Sequence, residues 1–109
     1  MTRAQTATVL KVLAEPNRVA ILRLIRGTEL PAARIASRFP TTRSAISQHL
    51  RVLKSAGLLR ERRAGTRRLY SIRPEGFQGV RELLELFWDV KVGQLKTEVE
   101  REARSKRDR

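Results

Sequence analysis

Arg43, Ser44, Ser47 and Gln48 place a guanidinium, two hydroxyls and an amide within two turns of any helix that holds them. Projected at 100° per residue, Ser44, Gln48, Arg51 and Ser55 share one face, with Ser47 at its edge. Ile46, Leu50 and Leu53 lie opposite as an apolar stripe. An outer face of short hydroxyls, Gln and Arg, with no acid, offers the donors and acceptors that match the edges of DNA bases. Arg43 lies nearer the stripe but in the first turn, where a long side chain reaches beyond the helix end, so a guanine and a phosphate are both open to it.

Charge surrounds this helix. Between Arg34 and Arg73 stand Arg34, Arg38, Arg43, Arg51, Lys54, Arg60, Arg62, Arg63, Arg67, Arg68 and Arg73 against Glu61 alone, +10 of the chain's total +13 in 40 of its 109 residues. A uniformly solvated basic protein would spread that charge, and the concentration predicts a polyanionic partner. Other chemistry is excluded early. The chain has no Cys, one His (His49), one Trp (Trp88) and one Tyr (Tyr70). Thiol catalysis, disulfides and thiolate metal sites are absent, and no nucleophile–base pair or Gly-rich phosphate loop is visible. Glu82, Glu85 and Asp89 could form a carboxylate-only cation site but read first as a solvated helix face. We therefore expect no enzyme activity, no cofactor and no metal. No apolar run approaches the ~18–20 residues of a membrane span and no signal-peptide core is present, so a cytoplasmic protein without a membrane partner is expected.

The elements that must position these groups follow from periodicity and caps. Residues 4–14 and 18–26 read as helices, the second with Asn17 as N-cap and Gly27 at its end. A short helix at 31–38 opens on Pro31 in its first turn, and the turn Phe39-Pro40-Thr41 follows because Pro40 biases Phe39 away from helix. The polar-faced helix runs over 42–56, capped by Thr42 and closed by Gly57. Segments 58–63 and 67–72 read as strands around Ala64-Gly65-Thr66, with Leu59 opposite Tyr70 and Ile72 and a third short contribution near Leu30. After Pro74, residues 75–104 read as one long helix, with Gly93 as a site for a bend. Its stripe of Phe77, Val80, Leu84, Phe87, Trp88 and Leu95 is widened by Leu83 and Val90. At 1.5 Å per residue such a helix would be ~45 Å long, more than the ~30 Å of a small domain, and would need a second copy of the chain to bury its face.

The order α-α-α-α-β-β-α, mostly helical with a small β-hairpin wing, is that of a winged helix-turn-helix. The 42–56 helix suits the major groove of duplex DNA, with Arg43, Ser44, Ser47 and Gln48 reading base edges. Arg34, Arg38, Thr42, His49, Arg51 and Lys54 are expected at the backbone, with His49 equally suited to packing. Arg62, Arg63, Arg67 and Arg68 bracket the wing turn. A winged-helix module for structured RNA or for a protein partner is the alternative reading.

Three segments, LAEPNR, SQHLRVLKSAGLL and RRAGTRRLYSI, occur here in order and at characteristic spacing. Over about residues 8–95 the chain resembles the ArsR/SmtB family of bacterial transcriptional regulators. The resemblance implies a homodimer joined through its first and last helices and repressing transcription from a palindromic operator. It places Val9, Leu10, Leu13, Leu83, Leu84, Phe87, Trp88, Val90 and Leu95 at the dimer interface. One winged helix-turn-helix DNA-binding and dimerisation domain is accordingly expected over 1–95, with 96–109, rich in both charges, a charged, frayed extension of the last helix. Metal-sensing relatives carry a Cys-x-Cys pair near the start of the short helix, where this chain has Pro31 and Ala33, or His ligands on the last helix, where it has none. The Phe87-Trp88 pair, with Lys91 and Leu95 beyond it, resembles a non-metal-sensing branch. No small-molecule effector can be named from the sequence.

Overall fold

A computed structural model describes residues 2–88. The expectations for Asp89, Val90, Lys91, Gly93, Leu95 and the 96–109 extension lie outside the described residues.

Helix α1 (Arg3–Leu13) starts from a reciprocal cap. The Gln5 N–H donates to Thr2 Oγ1 at 3.1 Å, and the Thr2 N–H donates to Gln5 Oε1 at 2.7 Å. Helix α2 (Pro16–Ile25) begins earlier than expected, with Glu15 rather than Asn17 as its N-cap. Pro16 explains the shift, since its fixed φ and missing N–H suit the first helical position. The Glu15 carboxylate then accepts from the Arg18 N–H at 3.1 Å. Gly27, at φ +73°, turns the chain out of α2.

Strand β1 is the dipeptide Leu30–Pro31, the third contribution expected near Leu30. It feeds directly into α3 (Ala32–Ala36), so Pro31 caps α3 instead of opening it. Helix α4 (Arg43–Ser55) follows, with Thr42 Oγ1 accepting the Ala45 N–H at 3.0 Å and Gly57 at φ +80° beyond its end. The hairpin is β2 (Leu59–Ala64) and β3 (Arg67–Ile72). Its two-residue loop has Gly65 at φ +64°, and Thr66 does not share the positive φ, the pattern of a type II′ turn. The sheet order is β1-β3-β2, all antiparallel, with Leu59 opposite Ile72 and Glu61, not Leu59, opposite Tyr70.

Ile21, Ile25, Ile35, Ile46, Leu50, Leu53, Leu58 and Val9 form the fully buried centre, each under 2% exposed. Burial of one such side chain contributes ~1.5–3 kcal/mol, so four elements are held together by what α4 tucks inward. The stripe of Ile46, Leu50 and Leu53 therefore decides which face α4 turns outward.

The last helix differs from expectation. Pro74–Phe77 form a 3-10 turn, and α5 spans only Gln78–Phe87, with Trp88 extended at φ −109°, ψ 127°. At its start, Gly76 is pressed against the Gly57 carbonyl, where a Cβ would come within 2.0 Å of the oxygen. No helix among the described residues is long and apolar enough to cross a membrane.

Candidate nucleic-acid interface

With its apolar stripe buried, α4 exposes Arg43, Ser44, Ser47, Gln48, Arg51 and Ser55. Thr42 is exposed too, though its oxygen is committed to the cap. The N-terminal end of α4 borders a cleft of about 630 Å³, walled by Arg34 and Ser37 of α3 on one side and by Thr66, Arg67, Arg68 and Tyr70 of the wing on the other. Arg34, Arg43, Arg67 and Arg68 thus meet on one concavity although up to 34 positions separate them. Arg38 is exposed just past α3, and Arg63 on the wing faces its cross-strand neighbour Arg68.

The eleven cations of the basic stretch fall into two groups. Arg62 reaches across β3 to Glu29 and grips it with two bonds, 2.8 Å from Nε and 2.6 Å from Nη2. Lys54 Nζ donates to Glu61, and Arg68 reaches the same carboxylate at 3.3 Å. Arg60 and Arg73 share Glu75, at 2.8 and 3.6 Å. The other six, Arg34, Arg38, Arg43, Arg51, Arg63 and Arg67, pair with no carboxylate among the described residues. Three acids therefore divide a basic surface that looks uniform in the sequence.

Local electrostatics follow from these pairs. The hydrogen bond from Lys54 holds the Glu61 carboxyl below the ordinary glutamate range against the opposing effect of its burial, with help from the Tyr70 hydroxyl. Burial pushes the Tyr70 phenol up, and the Glu61 charge beside it adds to the rise. Arg62 lowers Glu29 through its hydrogen bond, and Glu29 raises Arg62 in return.

His49 is placed away from the outer face. Its side chain is 17% exposed, with Nδ1 accepting from Arg18 Nε at 3.3 Å and Nε2 4.0 Å from Glu15. On the flank of the apolar stripe, the imidazole faces Arg18 of α2 and the α2 N-cap Glu15. Glu82 accepts from Gln78 at 3.0 Å and Glu85 from Arg81 at 3.2 Å, an i,i+4 arrangement of a solvated face. Among the described residues no three His, Cys, Asp or Glu side chains gather as a metal site.

The apolar residues expected between protomers also divide. Val9 is only 1% exposed because it packs into its own chain's core, so it is not an interface residue. Leu13 and Leu83 are half-buried, while Leu10, Leu84, Phe87 and Trp88 are 40%, 45%, 78% and 49% exposed on the α1 and α5 side. Leu86, 79% exposed, was not expected there. It lines a groove between α1 and α5 with Gly79 and Leu83, an i, i+4, i+7 spacing that the sequence does contain. Glu29 and Glu61 are the other residues missed. The signal for Glu61 is its isolation among cations, and for Glu29 its place just before the short strand at Leu30.

Comparison with known proteins agrees with this fold. The sequence pattern described as "Helix-turn-helix domain" matches residues 13–62. The chain is 41% identical over 78 residues to the HTH-type transcriptional regulator Rv2034 of Mycobacterium tuberculosis, covering 72% of this chain and 73% of that one. It is 36% identical to the transcriptional repressor SdpR of Bacillus subtilis, covering 59% of this chain and 71% of the relative. Among solved structures it is similar to a homodimeric winged helix-turn-helix DNA-binding domain from Mycobacterium bovis, described as a possible ArsR-family transcriptional regulator. That similarity has 34% identity, a TM-score of 0.64, and coverage of 77% of this chain and 78% of the other.

Proposed function

This chain belongs to the ArsR family of winged helix-turn-helix transcriptional regulators, and we propose that it works as a homodimeric cytoplasmic repressor seated on a palindromic DNA operator. The observation that carries this reading is the continuity of the exposed α4 face with the arginine-walled cleft. Helix α4 enters the major groove, where Gln48, Ser44 and Ser47 read base edges from the half of the helix nearest its N-terminus. Arg43 stands where the helix meets the cleft and takes a guanine or a phosphate. Arg34, Arg38 and Arg51 hold the flanking phosphates and set the docking angle, and the wing follows the backbone with Arg63 and Arg67. Leu10, Leu13, Leu83, Leu84, Leu86, Phe87 and Trp88 are covered by the second protomer, which doubles the reading helix about a two-fold axis. Repression follows from occupancy, since a dimer filling two successive major grooves of a promoter excludes polymerase from it.

The test starts from duplexes selected from a random pool by the native protein. Gln48→Ala should lower the preference for the selected duplex over a scrambled one by about 1–3 kcal/mol per contacted base pair, with non-specific affinity unchanged. Unchanged discrimination in that variant would remove α4 as the reading helix. Transcription from a promoter carrying the selected site should fall when the protein is added; a rise would refute repression. A double-stranded RNA competitor that displaced the selected duplex at equal concentration would favour an RNA-binding module.

A further inference from the structure

Glu61 is the one acid in the 40-residue basic stretch, and it is not a rim residue. Its side chain is 13% exposed and collects three donors: Lys54 from the last turn of α4, and Arg68 Nη1 at 3.3 Å and Tyr70 Oη at 3.2 Å from β3. The reading helix and the wing are thus joined through a single carboxylate. Lys54 and Arg68 remain 53% and 61% exposed, yet both are drawn to the one carboxylate. For a surface built only for affinity, an acid at this place is a loss. It subtracts its own charge and occupies two cations that would otherwise reach phosphate.

We propose that Glu61 is a positioning residue that lowers general duplex affinity by holding Lys54 and Arg68 off the phosphates, and that favours sequence discrimination by fixing the wing against α4. The proposal rests on the reading of this surface as a DNA interface. Phosphate contacts are blind to sequence, so each cation withheld from them weakens binding to all DNA alike. A wing tied to α4 adds its remaining contacts, Arg63 and Arg67, in the one register that α4 finds by reading bases. A wing released from α4 follows the backbone of any duplex.

The experiment measures affinity for a selected duplex and a scrambled one between 50 and 200 mM salt. Glu61→Gln keeps the size of the side chain and an oxygen for Tyr70, and removes the charge. The slope of log affinity against log salt on scrambled DNA should steepen by about 0.9 for each freed cation that reaches a phosphate, about 1.8 per protomer. Across that salt range the variant's affinity then changes about tenfold more per protomer than the native protein's, and the ratio of selected to scrambled binding falls. An unchanged slope, or proportionate weakening on both duplexes, overturns the proposal, since a merely structural carboxylate would do no more. Lys54→Ala gives an independent check that does not depend on how Glu61→Gln folds. Its slope should match that of the native protein because Lys54 is held at Glu61 and off the phosphates, and flattening by about 0.9 per protomer overturns the proposal. A native protein whose duplex binding ignored salt would overturn the DNA reading itself and this proposal with it.

Discussion

Arg62 and Arg67 occupy the same hairpin and look interchangeable in sequence, but the structure separates them by partner. Arg62 holds Glu29 with two bonds, at 2.8 and 2.6 Å, in the forked geometry that suits guanidinium and carboxylate. Arg67 borders the cleft and has no carboxylate partner among the described residues. Only a cation free to contact phosphate contributes to counterion release, at about 0.9 in the salt slope for each phosphate neutralised. Arg67→Ala should therefore flatten the slope by about 0.9 per protomer and about 1.8 per dimer. The affinity deficit of that variant should narrow about tenfold between 50 and 200 mM salt, equally on selected and scrambled duplexes. Arg62→Ala should leave the slope within a few tenths of native and act on the tether between the wing and the residue preceding β1. Fluorescence anisotropy titrations of both variants across that range make the comparison. Equal flattening by the two would refute the division of the basic surface into paired and unpaired cations, because Arg62 would then be leaving Glu29 for the DNA.

Two further predictions concern the scaffold. Gly76→Ala would put a Cβ 2.0 Å from the Gly57 carbonyl oxygen and 2.8 Å from its carbon, both backbone atoms with no rotamer to yield. We expect a loss near the upper end of overpacking costs, about 3 kcal/mol, or roughly 12–24 °C in thermal midpoint for a domain of this size. A drop under ~4 °C by circular dichroism would show that the α4–β2 junction gives way easily. Acid stability follows from Glu61 and Glu29, both held below the ordinary value of 4.5 by their hydrogen-bonded cations. The unfolded chain takes up these protons first as pH falls. The stabilisation is therefore complete above 4.5 and is lost as pH drops through the lower folded-state values. Thermal midpoints measured down the pH scale should decline less steeply in Glu61→Gln, and a decline parallel to that of the native protein would refute the link.

Much of the fold was legible because its determinants are local. Thr42, Gly57, Gly27 and the Gly65 turn act within a few residues of the boundaries they set, and the α4 stripe fixes its outward face without reference to the rest of the chain. The losses came where position depends on distant partners. Nothing near Arg62 says that Glu29, 33 positions earlier, lies within reach; that needs β1 laid beside β3. Val9 and Leu10 are adjacent apolar residues, and only the packing of α1 sends one into the core and leaves the other 40% exposed. The periodicity of α5 runs on past Phe87 in the sequence, but the described helix stops there.

The two halves of the proposed function, dimerisation on one side and base reading on the other, meet at Arg18. Its Nη1 donates to the Val12 carbonyl at the end of α1, at 3.3 Å, and its Nε donates to His49 on α4, also at 3.3 Å. Its own N–H is capped by Glu15, whose carboxylate lies 4.0 Å from the far side of the same imidazole. One planar fork thus spans three helices, which the single point charge of a lysine could not do in the same geometry. The consequence lies in the spacing of half-sites. A dimer reads two successive major grooves only if its reading helices are held about one turn of DNA, ~34–36 Å, apart, and that separation is set by the angle between each α4 and the helix pair at the two-fold axis. A hinge at this junction would let the same protein accept several spacings. On the proposed function, a guanidinium that joins α4 to the end of α1 would restrict that freedom, and operator geometry would then depend in part on a residue that faces away from the DNA.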